Sequence, residues 1–222
     1  MALNKLKYNS LNITPAANKA IGFDSDADAL EATFEGGAMT FIKKLTASSS
    51  STLSFVNGSS DVVLDNTYKE YLFTFKNIHA SAASELQVNF SADTGSNYNV
   101  TKSTTVFYAY HKENGASTTL THSDNEDLSQ STAFQNLTVA SQIGLDADEC
   151  GSGQMHLFNP SSTTFVKHFI SRTNYVSNDG DPFCISCHVA GYCNTTSAID
   201  AVQFKMSSGN IDAGDICLYG IN

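Results

Sequence analysis

From Met39 to the end of the chain, apolar and polar residues alternate with a period of two. Val202, Phe204 and Met206 alternate with Gln203, Lys205 and Ser207, which is the pattern of a strand with one buried face. Tyr71, Phe73 and Phe75 face one way, and Leu72, Thr74 and Lys76 the other. Leu86, Val88 and Phe90 alternate with Gln87, Asn89 and Ser91. The same reading predicts strands over 39–45, 53–56, 104–110, 134–139, 155–158, 164–170, 183–192, 198–206 and 216–221. Segments 124–127 and 145–153 read as acidic loops, and 207–215 as a turn.

Many short strands separated by Gly and Asn turns predict an all-β fold with little helix. Their number over residues 38–222 suits a jelly-roll-like antiparallel β-sandwich better than an immunoglobulin domain, which needs about 100 residues. Residues 1–37 differ: they lack sustained alternation and hold much of the negative charge. They predict an extended N-terminal arm, with a short helix starting at Thr14 and Pro15. Spaced anchors in Leu3, Leu6, Tyr8, Leu11, Ile13, Ile21 and Phe23 suit a segment that orders on a partner surface or wraps its own sandwich.

Composition narrows the partners. Charged residues make up 15% of the 222, against about 25% in ordinary globular domains, and Ser, Thr and Asn supply the polar surface instead. A net charge of −10 with 12 Lys and Arg opposes nucleic-acid binding, which needs cations to displace phosphate counterions. No apolar run reaches the ~20 residues of a membrane helix, so no membrane insertion is expected. The first nine residues carry no apolar stretch of a signal peptide, which predicts synthesis in a cytoplasm and reduced thiols at all five cysteines. Glycosylation is then not expected at the sequons of Asn12, Asn57, Asn89, Asn99, Asn136 and Asn194.

Several groupings resemble chemical sites. Cys184-Ile185-Ser186-Cys187-His188 matches the pattern of c-type haem attachment. On a strand, however, Cys184 and Cys187 project to opposite faces about 10 Å apart, and His188 lies ~13 Å along from Cys184. That is too far for one coordination sphere, so buried strand thiols are expected and no haem or zinc. Asp24, Asp26, Asp28 and Glu35 copy the acidic positions of a calcium loop, but Ala29 stands where the loop needs Gly. An acidic first turn is the expectation there, and calcium in another geometry stays open. Cys150 lacks the aromatic neighbour of a protease cysteine. The histidines at 79, 111, 122, 156, 168 and 188 are scattered, and His122 near Asp124 and Glu126 forms at most a polar loop pair. The expectation is a protein that is not an enzyme, with no catalytic, cofactor or metal residues.

The opening Met1–Ala16, the stretch Phe158-Asn159-Pro160-Ser161-Ser162-Thr163-Thr164-Phe165-Val166-Lys167 and the close from Ile199 to Ile221 resemble uncharacterised structural proteins of marine tailed bacteriophages with a C-terminal β-sandwich. The resemblance covers both ends and the last third and is weaker over 110–155. It implies a virion component on the capsid or tail surface, a decoration, fibre or tail-associated subunit, and it offers no functional residues. The alternative is a receptor-binding module that grips host-surface glycans through loops bearing Tyr98, Tyr108 and Tyr110. Residues 1–37 are expected to attach the sandwich to other virion proteins. A homotrimer is expected too, because the last strand is apolar on both sides, with Ile216 and Leu218 opposite Cys217, Tyr219 and Ile221.

Overall fold

The structure is a computed structural model that describes residues 20–23, 30–34 and 38–222. The chain divides into two compact units, Met1–Thr40 and Phe41–Asn222. In the first, β1 (Ala20–Phe23) pairs antiparallel with β2 (Leu30–Phe34), so the N-terminal unit contains a two-stranded ribbon where an extended arm was expected. The expected helix near Thr14 and the acidic loop from Asp24 to Asp28, with Glu35, lie outside the described residues.

The remaining strands are β3 (Met39–Thr46), β4 (Leu53–Val56), β5 (Glu70–Ala80), β6 (Leu86–Ser91), β7 (Lys102–Lys112) and β8 (Thr118–His122). They continue with β9 (Gln135–Asn136), β10 (Gly151–Phe158), β11 (Lys167–Val176), β12 (Phe183–Cys193), β13 (Ala201–Met206) and β14 (Ile211–Ile221). One sheet has the order β3-β14-β5-β10-β11-β12-β7-β8 and the other β4-β13-β6-β9. Set aside β7, β8, β11 and β12, and number the other eight in chain order. The large sheet then reads first-eighth-third-sixth and the small one second-seventh-fourth-fifth. Those are the two interlocked Greek keys of a jelly roll. The β7–β8 and β11–β12 hairpins are additions that widen one sheet.

The core lies between the sheets and follows the alternation. On β5, Tyr71, Phe73 and Phe75 are buried; Phe73 meets Phe55 of β4, and Phe73 and Phe75 both meet Phe204 of β13, across the sandwich. Phe73 sits 5.3 Å from Phe55 and 5.4 Å from Phe204 between ring centres, both edge-on. Edge-on pairs of this kind add about 0.5–1.5 kcal/mol each beyond area burial. Ile216 and Leu218 of β14 are fully buried. Cys217, on the opposite side of that strand, is only 2% exposed, which leaves Tyr219, edge-on to Phe41, as its partly open aromatic.

Three strands differ from the sequence pattern for local reasons. The stretch before Lys167 is not a strand, because Ser162 Oγ accepts from the backbone N–H of Thr164 and Phe165 and closes a turn. Only 135–136 of the predicted 134–139 pair as a strand, and Thr138 Oγ1 takes the Leu86 N–H in place of a carbonyl. The predicted turn at 207–215 shortens, and β14 begins at Ile211 by means of two register shifts against β5. Gly214 carries φ +114° there, and a Cβ on it would lie 2.6 Å from the Asn77 carbonyl oxygen, so the bulge requires glycine.

Candidate functional site

The strand geometry separates the Cys-x-x-Cys-His residues. Cys184 is exposed, contrary to the expectation of buried thiols, because it points to the outer face of the sheet; Cys187 is fully buried, and burial pushes its thiol up to about 12. His188 shares the outer face with Cys184 but stacks on Phe107, 4.7 Å between centres and nearly parallel. Cys193 is buried in the core with its thiol raised to about 12 by burial, Cys217 is buried as well, and Cys150 is half-buried. Among the described residues no group of three or more His, Cys, Asp or Glu side chains is arranged to hold a metal ion.

His122 does meet acids, though only one of the two expected from sequence. Its Nδ1 lies 2.5 Å from Asp124 and its Nε2 3.0 Å from Asp127, while Glu126 accepts instead from Asn136. Thr105 Oγ1 is 3.3 Å from the same Nε2. Both ring nitrogens lie against carboxylate oxygens, and Thr105 Oγ1 shares the Nε2 side with Asp127. The cluster pins the β8 end to β7, where Asp127 also accepts the Val106 N–H. His156 pairs with Glu70 at 2.5 Å, His79 lies 3.7 Å from Asp212, and His168 tilts against Tyr192. The three tyrosines expected on loops are not gathered. Tyr98 lies over Gly95, whereas Tyr108 and Tyr110 are half-buried along β7, Tyr110 edge-on to Phe183.

A site that the sequence reading did not single out lies on the outer face of the large sheet. The register brings Gln154, Arg172, His188 and Phe107 into one row across β10, β11, β12 and β7. On one side of that row is a polar trough of about 490 Å³ formed by Ser152, Gln154, Arg172, Asn174 and Ser186. On the other is a more apolar trough of about 470 Å³, with Ile170, Ala190, Tyr192 and His168 among its walls. Strand pleating explains the depressions, since small outward side chains at Ser152, Ser186 and Ala190 sit beside long ones at Arg172, Tyr192 and Ile170. Gly153 lets β10 and β11 approach closely, because a Cβ there would lie 2.3 Å from the Arg172 carbonyl oxygen. Arg172 is the only arginine in the chain. It is exposed, and no carboxylate pairs with it among the described residues. Burial, then the Arg172 charge, lowers the His188 imidazole below its ordinary value.

Inside the sandwich a second polar feature was hidden from sequence. Lys102 and Lys167 flank Cys193 in one cross-strand row, and both lysines are 0% exposed. Lys102 Nζ donates to Asn89 Oδ1 at 2.7 Å and to the Val100 carbonyl at 3.1 Å. Lys167 Nζ donates to the carbonyls of Ser197 at 2.5 Å and Thr195 at 3.2 Å. The sequon residue Asn89 is thus spent in the core, its amide nitrogen donating to the carbonyls of Tyr98 and Thr132.

No family model, no curated protein and no solved structure matches this chain.

Proposed function

We propose that this chain is a non-enzymatic structural protein of a bacteriophage virion, displayed on the capsid or tail surface and joined to other virion proteins through residues 1 to about 37. The observation that carries the reading is where the fold spends its additions. Two extra hairpins widen one jelly-roll sheet to eight strands, with Leu120 exposed on the outermost of them, β8, and Phe107 exposed on the neighbouring β7. A broad sheet with apolar side chains at a free edge is built for contact with other protein surfaces, including further copies of itself. The likeness of both chain ends and of the 158–167 stretch to phage structural proteins supports the same assignment.

The experiment is to detect the chain in purified particles by mass spectrometry and antibody labelling, and then to supply a form lacking residues 2–35. Assembly of the full chain, with a folded but unincorporated truncated form, is the expected result. Absence of the chain from particles overturns the proposal. A truncated chain that unfolds assigns the first unit to the core and moves attachment to the sandwich.

A second reading, a receptor-binding module for host-surface glycans, is favoured by one observation: Arg172, which no carboxylate pairs among the described residues, between two troughs on an otherwise acidic protein.

A further inference from the structure

Resting on that second reading, we infer that the outer face of the eight-stranded sheet binds an acidic saccharide, with Arg172 holding a sugar carboxylate and the flanking troughs holding the rings on either side. The inference turns on charge, shape and the free hydrogen-bonding groups.

Charge comes first. The protein carries a net −10, yet none of the five side chains of the polar trough is acidic. A guanidinium left open on such a surface presents a planar fork of donors that matches a carboxylate with two parallel bonds. Lys76 is exposed on β5 opposite Asp215 of β14, beside the bulge where Asn77, at φ +51°, donates its N–H to Ser152 Oγ at 3.0 Å. Bulges of this kind redirect side chains next to binding sites.

The neutral groups then select the ligand class. Asn174 donates its amide nitrogen to the Ile185 carbonyl at 2.9 Å, and its Oδ1 accepts no hydrogen bond among the described residues. Gln154, Ser152 and Ser186 add an amide and two hydroxyls along the same trough. Such a spread of single donors and acceptors fits the separated hydroxyls of a sugar, whereas a phosphate would need several donors converging on one point. Beyond Arg172, the stacked pair of His188 and Phe107 and then Tyr192 offer flat apolar faces to pyranose rings.

Length agrees as well. From Asn174 to His168 on β11 the outward positions run over about 20 Å at 3.3 Å per residue, enough for a stretch of linear saccharide rather than one ring. Both troughs are open along the sheet, which suits a chain that passes across it.

The test uses the full chain and three probes: an oligoglucuronate, N-acetylneuraminic acid and a neutral maltooligosaccharide, followed by saturation-transfer NMR and titration. Binding of at least one acidic probe, weakened about tenfold or more by Arg172→Gln, is expected, since a charge-assisted contact of at least about 1.4 kcal/mol is worth that factor. Asn174→Ala is expected to weaken binding of the same probe less. Arg172 and Asn174 are both exposed, so both variants keep the wild-type melting curve. Retention on a polymeric acidic glycan without binding of the free monosaccharide assigns the site to a surface polymer, and equal binding of both assigns it to a free sugar. Acidic-probe binding that Arg172→Gln leaves unchanged overturns the site. Neutral-probe binding that survives Arg172→Gln, with none of the acidic probes bound, also overturns the site but leaves the receptor reading standing. No binding of any probe overturns both.

Discussion

Lys102 on the large sheet donates its ammonium to Asn89 on the small sheet at 2.7 Å, so a buried cation ties the two layers of the jelly roll together. Burial lowers this lysine to about 8. The sign follows from linkage. Below about pH 8 the lysine is charged in both folded and unfolded chains, and the fold carries the full desolvation cost. Between about pH 8 and its ordinary value of 10.5, the unfolded chain holds a proton that the folded chain has lost, so stability rises with pH through that window.

Denaturant unfolding of wild type and Lys102→Met across that window isolates the effect. The wild-type curve is expected to gain on the order of 3 kcal/mol relative to the variant between neutral pH and about pH 10.5. Parallel curves for the two proteins would show that Lys102 titrates alike in the folded and unfolded chains. Loss of the Asn89 contact leaves that amide oxygen with the Phe90 N–H as its remaining partner, so the variant is also expected to fold less stably near pH 10.5.

The thiols give the second prediction. Cys184 is exposed at the edge of the polar trough, where Asn174 Nδ2 approaches its sulfur at 3.4 Å. Cys187 and Cys193 are buried with thiols near 12 and stay protonated at neutral pH. Under native conditions a thiolate-directed alkylating reagent is expected to label Cys184 rapidly and Cys187, Cys193 and Cys217 only on unfolding. Cys184→Ser is expected to remove the fast phase and to change stability by no more than about 0.5 kcal/mol. Fast labelling of Cys187 in the folded protein would contradict the opposite-face placement.

These residues also show where the sequence was legible. Period-2 alternation reports which residues share a side of a strand, so the burial of Tyr71, Phe73, Phe75 and Cys187 and the opposite facing of Cys184 could be read directly, but not that the Cys184 side is the open one. Alternation says nothing about which strands become neighbours. The row that joins Gln154, Arg172, His188 and Phe107 crosses three successive strands and then the much earlier β7, and only the sheet order reveals it. Lys102 and Lys167 occupy inward positions of their strands, but a lysine at such a position reads as a break in the pattern until its acceptors are seen across the sandwich. β8 escaped for another reason: its Thr118–His122 sequence is mostly exposed and hydrophilic, so an edge strand there looks like loop.

That edge strand carries the last prediction. Leu120 is 74% exposed on β8, and Phe107 is 45% exposed on β7 one strand inward. An edge strand presents unpaired backbone groups, and apolar side chains beside them add a driving force for pairing with another copy. The polar trough around Arg172 lies two strands further in, so a contact at β8 leaves it open. Light scattering of the wild-type protein at micromolar concentration is expected to report a defined oligomer, with a trimer the proposed state. Leu120→Lys adds a charge at a position with almost no packing to lose and is expected to return the protein to monomer at an unchanged melting temperature. A wild type that is already a monodisperse monomer removes the self-association proposal. An oligomer that Leu120→Lys leaves intact moves the contact away from β8, and Phe41 beside Tyr219 is then the apolar patch to mutate next.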